Sequence, residues 1–409
     1  MPFPSEPPVE VCLLMRQFYP VMAGAAERFR RYSPGLWQRG VRLNAVARQA
    51  DAALPLAEQL HQGLRVQRVP FQKGTPAWDL ALLKESARSL QQLSGSRRAV
   101  LHTNIAFKHT RPLLADMQRR GTPTVWLGSM MEDHAAGRSW LASLRERLRL
   151  RWTLSVFDVA AVGSTAMRDW LRAAWVPAQR VRVIGHGVDL ARFHPVDSVE
   201  ARKALRTRFR LPEEAVITLM VGTITARKGV HLLLEAWEQR LAADPRAVLV
   251  IAGAFDRPTV VSEDQQKLVQ FQTGLRQRLD RLSSTGRVLH LGEVKAIEDL
   301  MRAADLLILP SDREGVPNVV LEGMASGLPC LLTPFMGLPR EELGDEGILW
   351  KLCQREVHSI GAALAELIED ESLRRTMGHA AAQRAARLFG LDRTLDDYAA
   401  LYHELAGRG

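Results

Sequence analysis

None of the apolar runs in this 409-residue chain reaches the ~18–20 residues that a membrane-spanning helix needs. Cysteine is scarce. Cys12, Cys330 and Cys353 are far apart and odd in number, which excludes a disulfide framework or a thiolate metal cluster. They read as packed thiols in a reducing compartment. The opening M-P-F-P-S-E-P-P-V-E lacks the basic and then apolar pattern of a secretory signal, so the expected location is the cytoplasm. No G-x-G-x-x-G follows a strand-like run, which argues against a nicotinamide enzyme. There is no G-x4-G-K-[ST] for a P-loop hydrolase and no G-x-S-x-G elbow.

What is present is a long, ordinary globular composition, 46% apolar and 24% charged, of a length that suits two domains. The net charge of +10 is unevenly shared. Residues 1–195 carry 28 Lys and Arg against 14 Asp and Glu, a net of +14, whereas residues 196–409 carry 27 against 31, a net of −4. The basic excess points to an anionic partner for the first half, such as a phospholipid surface or a phosphate-bearing acceptor. On charge alone, nucleic acid is a further candidate.

Short apolar runs alternate with helical patterns, which predicts parallel sheets with crossover helices, an α/β fold. In the first half the predicted strands are 11–15, 41–47, 65–69, 99–102, 123–127, 159–162 and 182–184. In the second half they are 216–221, 247–252, 288–291, 306–309 and 330–333. Val230, Leu233, Leu234, Trp237 and Leu241 recur at helical spacing and set one apolar stripe against a sheet. The expected domain boundary falls near Pro195, after V-I-G-H-G-V-D-L-A-R-F-H-P, and a last helical segment covers 389–409.

The most informative stretch is Glu314-Gly315-Val316-Pro317-Asn318-Val319-Val320-Leu321-Glu322. Pro317 suits the first position of a helix, where its missing N–H costs nothing. Gly327 followed by Pro329 suits the helix end. N–H groups near Asn318 and Val319 then form a pre-formed anion site. Glu314 and Glu322 bracket it, and carboxylates are suited to accepting hydrogen bonds from sugar or ribose hydroxyls. Upstream, V-G-T-I-T-A-R-K-G-V (221–230) places Arg227 and Lys228 at a strand-to-helix turn that begins with Gly222 and Thr223. Two adjacent cations there suit a diphosphate.

The run R-E-G-V-P-N-V-V-L-E-G-M-A-S-G-L-P (313–329) resembles the E-x7-E signature of retaining glycosyltransferases, specifically glycosyltransferase family 4. The resemblance implies the GT-B architecture, two Rossmann-like parallel-sheet domains facing across a cleft. It implies a first domain for the acceptor (1–195), a second for the nucleotide sugar (196–388) and a C-terminal helix (389–409) crossing back to the first. It also implies a sugar moved with retention from a UDP- or GDP-sugar to a glycan or lipid-linked acceptor, as in envelope or exopolysaccharide synthesis. Arg227, Lys228 and Glu314 would be catalytic. Gly24, Gly222, Thr223, Gly315, Asn318, Val319 and Glu322 would line the donor. D-x-D is absent, so no metal cofactor is expected and the charge work falls to Arg227, Lys228 and the helix start.

The family pattern departs at two places. Thr223 stands where an Arg is expected, with Arg227 as the replacement charge, and the G-G-A-E loop reads Gly24-Ala25-Ala26-Glu27. Asp133 and His134 are weaker sugar-side candidates. His186 reads as structural, and backbone near His290 as a lining for the base. The stretch Trp140–Trp152 mixes Arg, Leu and Trp. It fits an anionic membrane dock and, equally, a core-facing helix with a solvated basic side. A sugar phosphorylase, a sugar-phosphate-accepting synthase, or a nucleotide-sugar binder without turnover would use the same motifs. The intact second-half motif argues against nucleic acid as the partner.

Overall fold

The computed structural model of the chain describes residues 7–20, 24–70, 72, 74–93, 99–128, 140–255, 263–335 and 337–407. The chain divides into two compact units, Met1–Gly187 with Leu391–Gly409, and Val188–Gly390. Phe193 and Val188 are buried in the core of the second unit, which draws the chain after Gly187 into it.

The first unit is an eight-stranded sheet. Its strands are β1 (Val9–Leu14), β2 (Val41–Arg48), β3 (Ala57–His61), β4 (Leu64–Val69), β5 (Val100–Thr103), β6 (Thr124–Gly128), β7 (Val159–Val162) and β8 (Val181–Val183). They lie in the order β3-β4-β2-β1-β5-β6-β7-β8. Every pairing is parallel except β3 with β4. Its helices are α1 (Gly24–Gln38), α2 (Thr75–Leu93), α3 (Arg111–Arg119), α4 (Trp140–Leu154) and α5 (Thr165–Ala173).

The second unit is a six-stranded, all-parallel sheet. Its strands are β9 (Val216–Val221), β10 (Ala247–Ala252), β11 (Val288–Gly292), β12 (Leu306–Leu309), β13 (Cys330–Leu332) and β14 (Trp350–Leu352), in the order β11-β10-β9-β12-β13-β14. Its helices are α6 (Val199–Arg208), α7 (Val230–Arg240), α8 (Glu263–Ser283), α9 (Ile297–Ala303), α10 (Asn318–Ala325), α11 (Arg340–Leu343), α12 (Val357–Glu369) and α13 (Glu371–Leu388). All of β10 and β12 is buried, because helices cover both faces, so each reads as a continuous apolar run. The two faces carry separate cores, one around Trp350 and Phe193 and one around Trp237 and Ile360.

The chain ends in α14 (Leu391–Gly407). Its Leu395, Tyr398, Leu401, Tyr402 and Leu405 belong to the core of the first unit. The Tyr402 hydroxyl lies 2.7 Å from Nδ1 of His102, on β5. Burial pushes that imidazole down to about 3, so it is neutral and fixed as a core partner of the tyrosine.

Two strands differ from the sequence expectation. β3 is the edge sequence A-E-Q-L-H, half-exposed and polar, so it carries no apolar run to read. β14 has three residues, too few for a pattern.

Candidate active site in the second unit

In open α/β sheets, ligands sit outside the carboxyl ends of the strands where the strand order reverses. In the second unit the chain leaves β9 for β10 on one side, while β12 lies on the other. The two loops at that reversal follow β9 (222–229) and β12 (310–317); with α10 they carry Gly222, Thr223, Arg227, Lys228, Glu314, Gly315, Asn318, Val319 and Glu322, whereas His290 lies within β11.

Glycine holds the loops together. Gly229 precedes α7 with φ +71°, and a Cβ there would sit 2.1 Å from the Pro310 carbonyl oxygen. The Asp312 amide donates to the Arg227 carbonyl at 3.1 Å. Arg355, just before α12, donates to the Pro310 carbonyl at 3.1 Å and the Ala226 carbonyl at 3.2 Å, one bond to each loop. A Cβ on Gly253 would lie 2.0 Å from the Gly222 carbonyl oxygen, so the chain after β10 also comes close.

Glu314 is the centre of the cluster. It is only 9% exposed. One of its oxygens, Oε1, accepts from Ser311 Oγ at 2.7 Å, lies 2.7 Å from Lys228 Nζ and 2.9 Å from Arg227 Nη1. Thr333 Oγ1 donates to the Ser311 carbonyl at 2.7 Å and fixes that residue in turn. Burial alone would raise the Glu314 carboxyl, but the Lys228 charge and hydrogen bond, then Ser311 and Arg227, hold it below the usual range. Burial pushes the Lys228 ammonium below its ordinary value, with Glu314 opposing that shift. Two cations against one carboxylate leave a positive surplus in a poorly solvated place, which favours a further anion.

α10 begins beside this cluster. Pro317 is its N-cap, with ψ 93°, where the sequence predicts the first helical position. The difference has a local cause: the Pro317 carbonyl already accepts from the Val320 amide at 2.9 Å while its own backbone is still extended. Among the described residues no side-chain hydrogen bond caps the helix start. Glu322 is half-buried one turn on, as are Asn318, Val319 and Gly315. Gly327, at φ +77°, ends the helix, with its amide on the Met324 carbonyl and the Leu328 amide on that of Gly323.

The structure brings Arg227, Lys228 and Glu314 to one point, with Gly222 adjacent: a Cβ there would lie 3.4 Å from Lys228 Cε. Thr223 is exposed on the same loop. His290, in the middle of β11, has Nε2 2.9 Å from the Gly253 carbonyl and so donates from that nitrogen. Its ring meets Phe255 edge-on, with Arg276 stacked 3.9 Å from the Phe255 centroid. Gly24 belongs to the first unit, as the exposed first residue of α1, with open space where a Cβ would lie. Asp133 and His134 lie outside the described residues. Sequence reasoning missed Ser311, three residues before Glu314, which the local string S-D-R-E could have offered. It also missed Thr333 and Arg355, which carry no local signal.

Residues 201–384 match the family described as glycosyl transferases group 1, and residues 22–192 match Glycosyltransferase Family 4. A D-inositol 3-phosphate glycosyltransferase of Xylanimonas cellulosilytica is 27% identical over 387 residues, covering 90% of this chain and 89% of the relative. An N-acetyl-alpha-D-glucosaminyl L-malate synthase of Bacillus anthracis is 23% identical, covering 81% and 80%. Among solved structures, the sucrose-phosphate synthase from Thermosynechococcus elongatus superposes with a TM-score of 0.74 at 20% identity, covering 97% of this chain and 99% of that one. Anabaena HepE in complex with UDP and glucose gives 0.72 at 19% identity, covering 97% and 100%. At these identities the structural likeness is one of fold.

Proposed function

The chain belongs to the family 4-type glycosyltransferases of GT-B fold, and we propose that it moves a hexosyl group, with retention, from a UDP- or GDP-sugar to a hydroxyl of a glycan or lipid-linked acceptor. The observation that carries this reading is the convergence of Lys228 Nζ and Arg227 Nη1 on one oxygen of a buried Glu314 at the strand-order reversal. In the proposed reaction the anomeric C–O bond to the diphosphate breaks and a bond to the acceptor oxygen forms on the same face. The acceptor proton goes to the departing phosphate oxygen, so no protein base is required. Lys228, Arg227 and the uncapped start of α10 take up the charge that builds on the leaving group. Arriving phosphate oxygens compete with Glu314 for the two cations, which leaves the carboxylate to accept from hydroxyls of the transferred sugar. Glu322 is assigned to the ribose hydroxyls.

Because two side chains supply the positive charge, turnover is proposed to need no added metal. A thermal-shift panel of UDP, GDP, ADP and their sugar conjugates, with and without magnesium, tests the reading. Stabilisation by one nucleoside diphosphate without metal is expected. No shift with any of them at millimolar concentration would overturn it.

For the acceptor side we propose a cytoplasmic enzyme that binds the membrane peripherally through α4. Among the described residues no helix is long and apolar enough to cross a membrane. Of α4, however, only Leu154 is buried, and Trp140, Leu141, Leu148 and Trp152 are exposed beside exposed Arg145, Arg147, Arg149 and Arg151. A helix packed into a core would hide its large apolar side chains, so this exposure favours an anionic lipid surface. Sedimentation with phosphatidylglycerol vesicles should fall on Trp140→Ala with Leu148→Ala; unchanged sedimentation would remove α4 from the reading.

A further inference from the structure

The first unit has its own strand-order reversal, with β2 on one side of β1 and β5 on the other. Four side chains from separate segments meet there. Arg16 follows β1, Arg48 ends β2, His109 lies in the loop after β5, and Asp79 is in the second turn of α2. Asp79 is fully buried, with 0% of its side chain exposed. It accepts from Arg16 Nε at 3.0 Å and Nη2 at 2.7 Å, from Arg48 Nη2 at 3.0 Å and from His109 Nε2 at 3.1 Å. Burial would raise this carboxyl, but the hydrogen bonds and charges around it, Arg16 foremost, hold it low.

Two guanidiniums face one carboxylate, so the cluster holds a surplus positive charge before His109 is counted. Four donors use up the roughly four lone-pair positions of a carboxylate. Among the described residues, the remaining N–H groups of both arginines are left for another acceptor. Arg48 Nε is buried and, among the described residues, has no hydrogen-bond partner. Burial and the neighbouring Arg16 charge weaken the hold of Arg48 on its proton, with Asp79 only partly compensating. Arg16 stacks 4.4 Å over Phe107, whose ring stacks in turn on His109, and Arg48 stacks 4.5 Å over Trp78. Both planes are therefore held in place while Arg16 keeps 36% of its side chain exposed. One arginine would suffice to neutralise Asp79. A second, pre-oriented and under-satisfied, at the place where an open sheet takes its ligand, fits an anion.

The geometry points to an acceptor that carries an acid, a phosphate or carboxylate, held by Arg16 and Arg48 with His109 beside them, and Asp79 as the positioning residue that orients them. This inference rests on the reading that the first unit receives the acceptor. The test is equilibrium dialysis of the full chain with inorganic phosphate, carried out in a Lys228→Ala background so that the second-unit cations contribute little. Arg16→Lys and Arg48→Lys keep the charge but lose the planar fork, and each should weaken phosphate binding about tenfold. Asp79→Asn removes the internal competitor for the arginines and should tighten it about tenfold. A purely structural Asp79 predicts lower stability in that variant and no gain in phosphate affinity.

Phosphatidylglycerol vesicles separate the two sources of the group. Vesicle binding that falls with Arg16→Lys assigns the site to a lipid phosphate. Phosphate binding that falls while vesicle binding holds assigns it to a soluble acid. Unchanged phosphate binding in both lysine variants, with no gain in Asp79→Asn, overturns the inference. Nucleotide binding by Arg16→Lys made alone, with Lys228 retained, is expected to equal that of the unaltered chain, so failure here is distinct from failure of the donor reading.

Discussion

Replacing Lys228 by Ala is the sharpest test of the second-unit cluster. Only 12% of the Lys228 side chain is exposed, against 33% for Arg227, so its charge acts through the poorer dielectric and is worth more. Removing one pre-organised donor of this kind lowers kcat by about 10²–10³, or about 2.7–4 kcal/mol of transition-state stabilisation. The fold should tolerate the loss. Breaking a buried ion pair costs ~3–5 kcal/mol when the partner charge is orphaned. Here Glu314 keeps Ser311 Oγ at 2.7 Å and Arg227 at 2.9 Å on the same oxygen. About 1–2 kcal/mol of stability is then expected to go. The assay is release of nucleoside diphosphate under single-turnover conditions, with kcat and KM measured separately. A large fall in kcat on a folded protein supports charge stabilisation in the transition state. A rise in KM alone would make Lys228 a ground-state binder, and turnover within about threefold of the unaltered chain would refute the role altogether.

Gly229→Ala should lower stability by ~1–2 kcal/mol or more from the left-handed backbone alone, and push the two loops apart because its Cβ would meet the Pro310 carbonyl at 2.1 Å; unaltered melting and nucleotide affinity would contradict this. The Cys12 and Cys353 thiols are pushed up to about 12 by burial, and the Cys330 thiol higher still, so none should react with Ellman's reagent at neutral pH until urea exposes them. A fast-reacting thiol in the folded protein would count against that burial. Glu314 has a depressed pKa, so its stabilisation is complete above the ordinary value of about 4.3 and is lost as pH falls through the lower folded value. Glu314→Gln should therefore lose stability near pH 7, by about the worth of the pair, and show a flatter acid limb in urea titrations from about pH 7 to 3; an unchanged acid limb would show that Glu314 is not the group being protonated.

The fold was legible where burial on both faces leaves a near-continuous apolar run. V-I-T-L-M-V, A-V-L-V-I-A and L-L-I-L are β9, β10 and β12, read from sequence with the same ends. It was not legible at the sheet edges, where A-E-Q-L-H has one polar face to water and W-K-L is too short to show a period. The candidate site divides in the same way. Arg227, Lys228 and Glu314 stand in recognisable strings, but their meeting at one carboxylate oxygen is a product of topology, since adjacent strands bring together loops far apart in the chain. Arg355 braces both loops from the approach to α12 and stands in no motif. Arg16, Arg48, Asp79 and His109 likewise come from four separate segments, and only the sheet order makes them neighbours.

Thr223 stands where the family resemblance calls for a second cation, and the structure offers a physical reason why the site can do without one there. Thr223 is exposed at one end of the loop, whereas Arg227 enters from the other end and reaches Glu314 at 2.9 Å, with its guanidinium also donating to the Arg313 carbonyl. The loop therefore still presents two cations to one carboxylate, with the second displaced along it. If charge count governs the hold on a diphosphate, Arg227→Ala should lower kcat/KM by about tenfold or more, since a charge-assisted hydrogen bond is worth ~1.5–3 kcal/mol. Thr223→Arg should then restore part of that loss in the Arg227→Ala background and add little to the unaltered chain. Kinetics of the four proteins form a double-mutant cycle whose coupling term measures the exchange directly. No recovery in the double variant would mean that Arg227 works through its bond to the Arg313 carbonyl, holding the loop after β12 in place, and that the surplus charge is incidental.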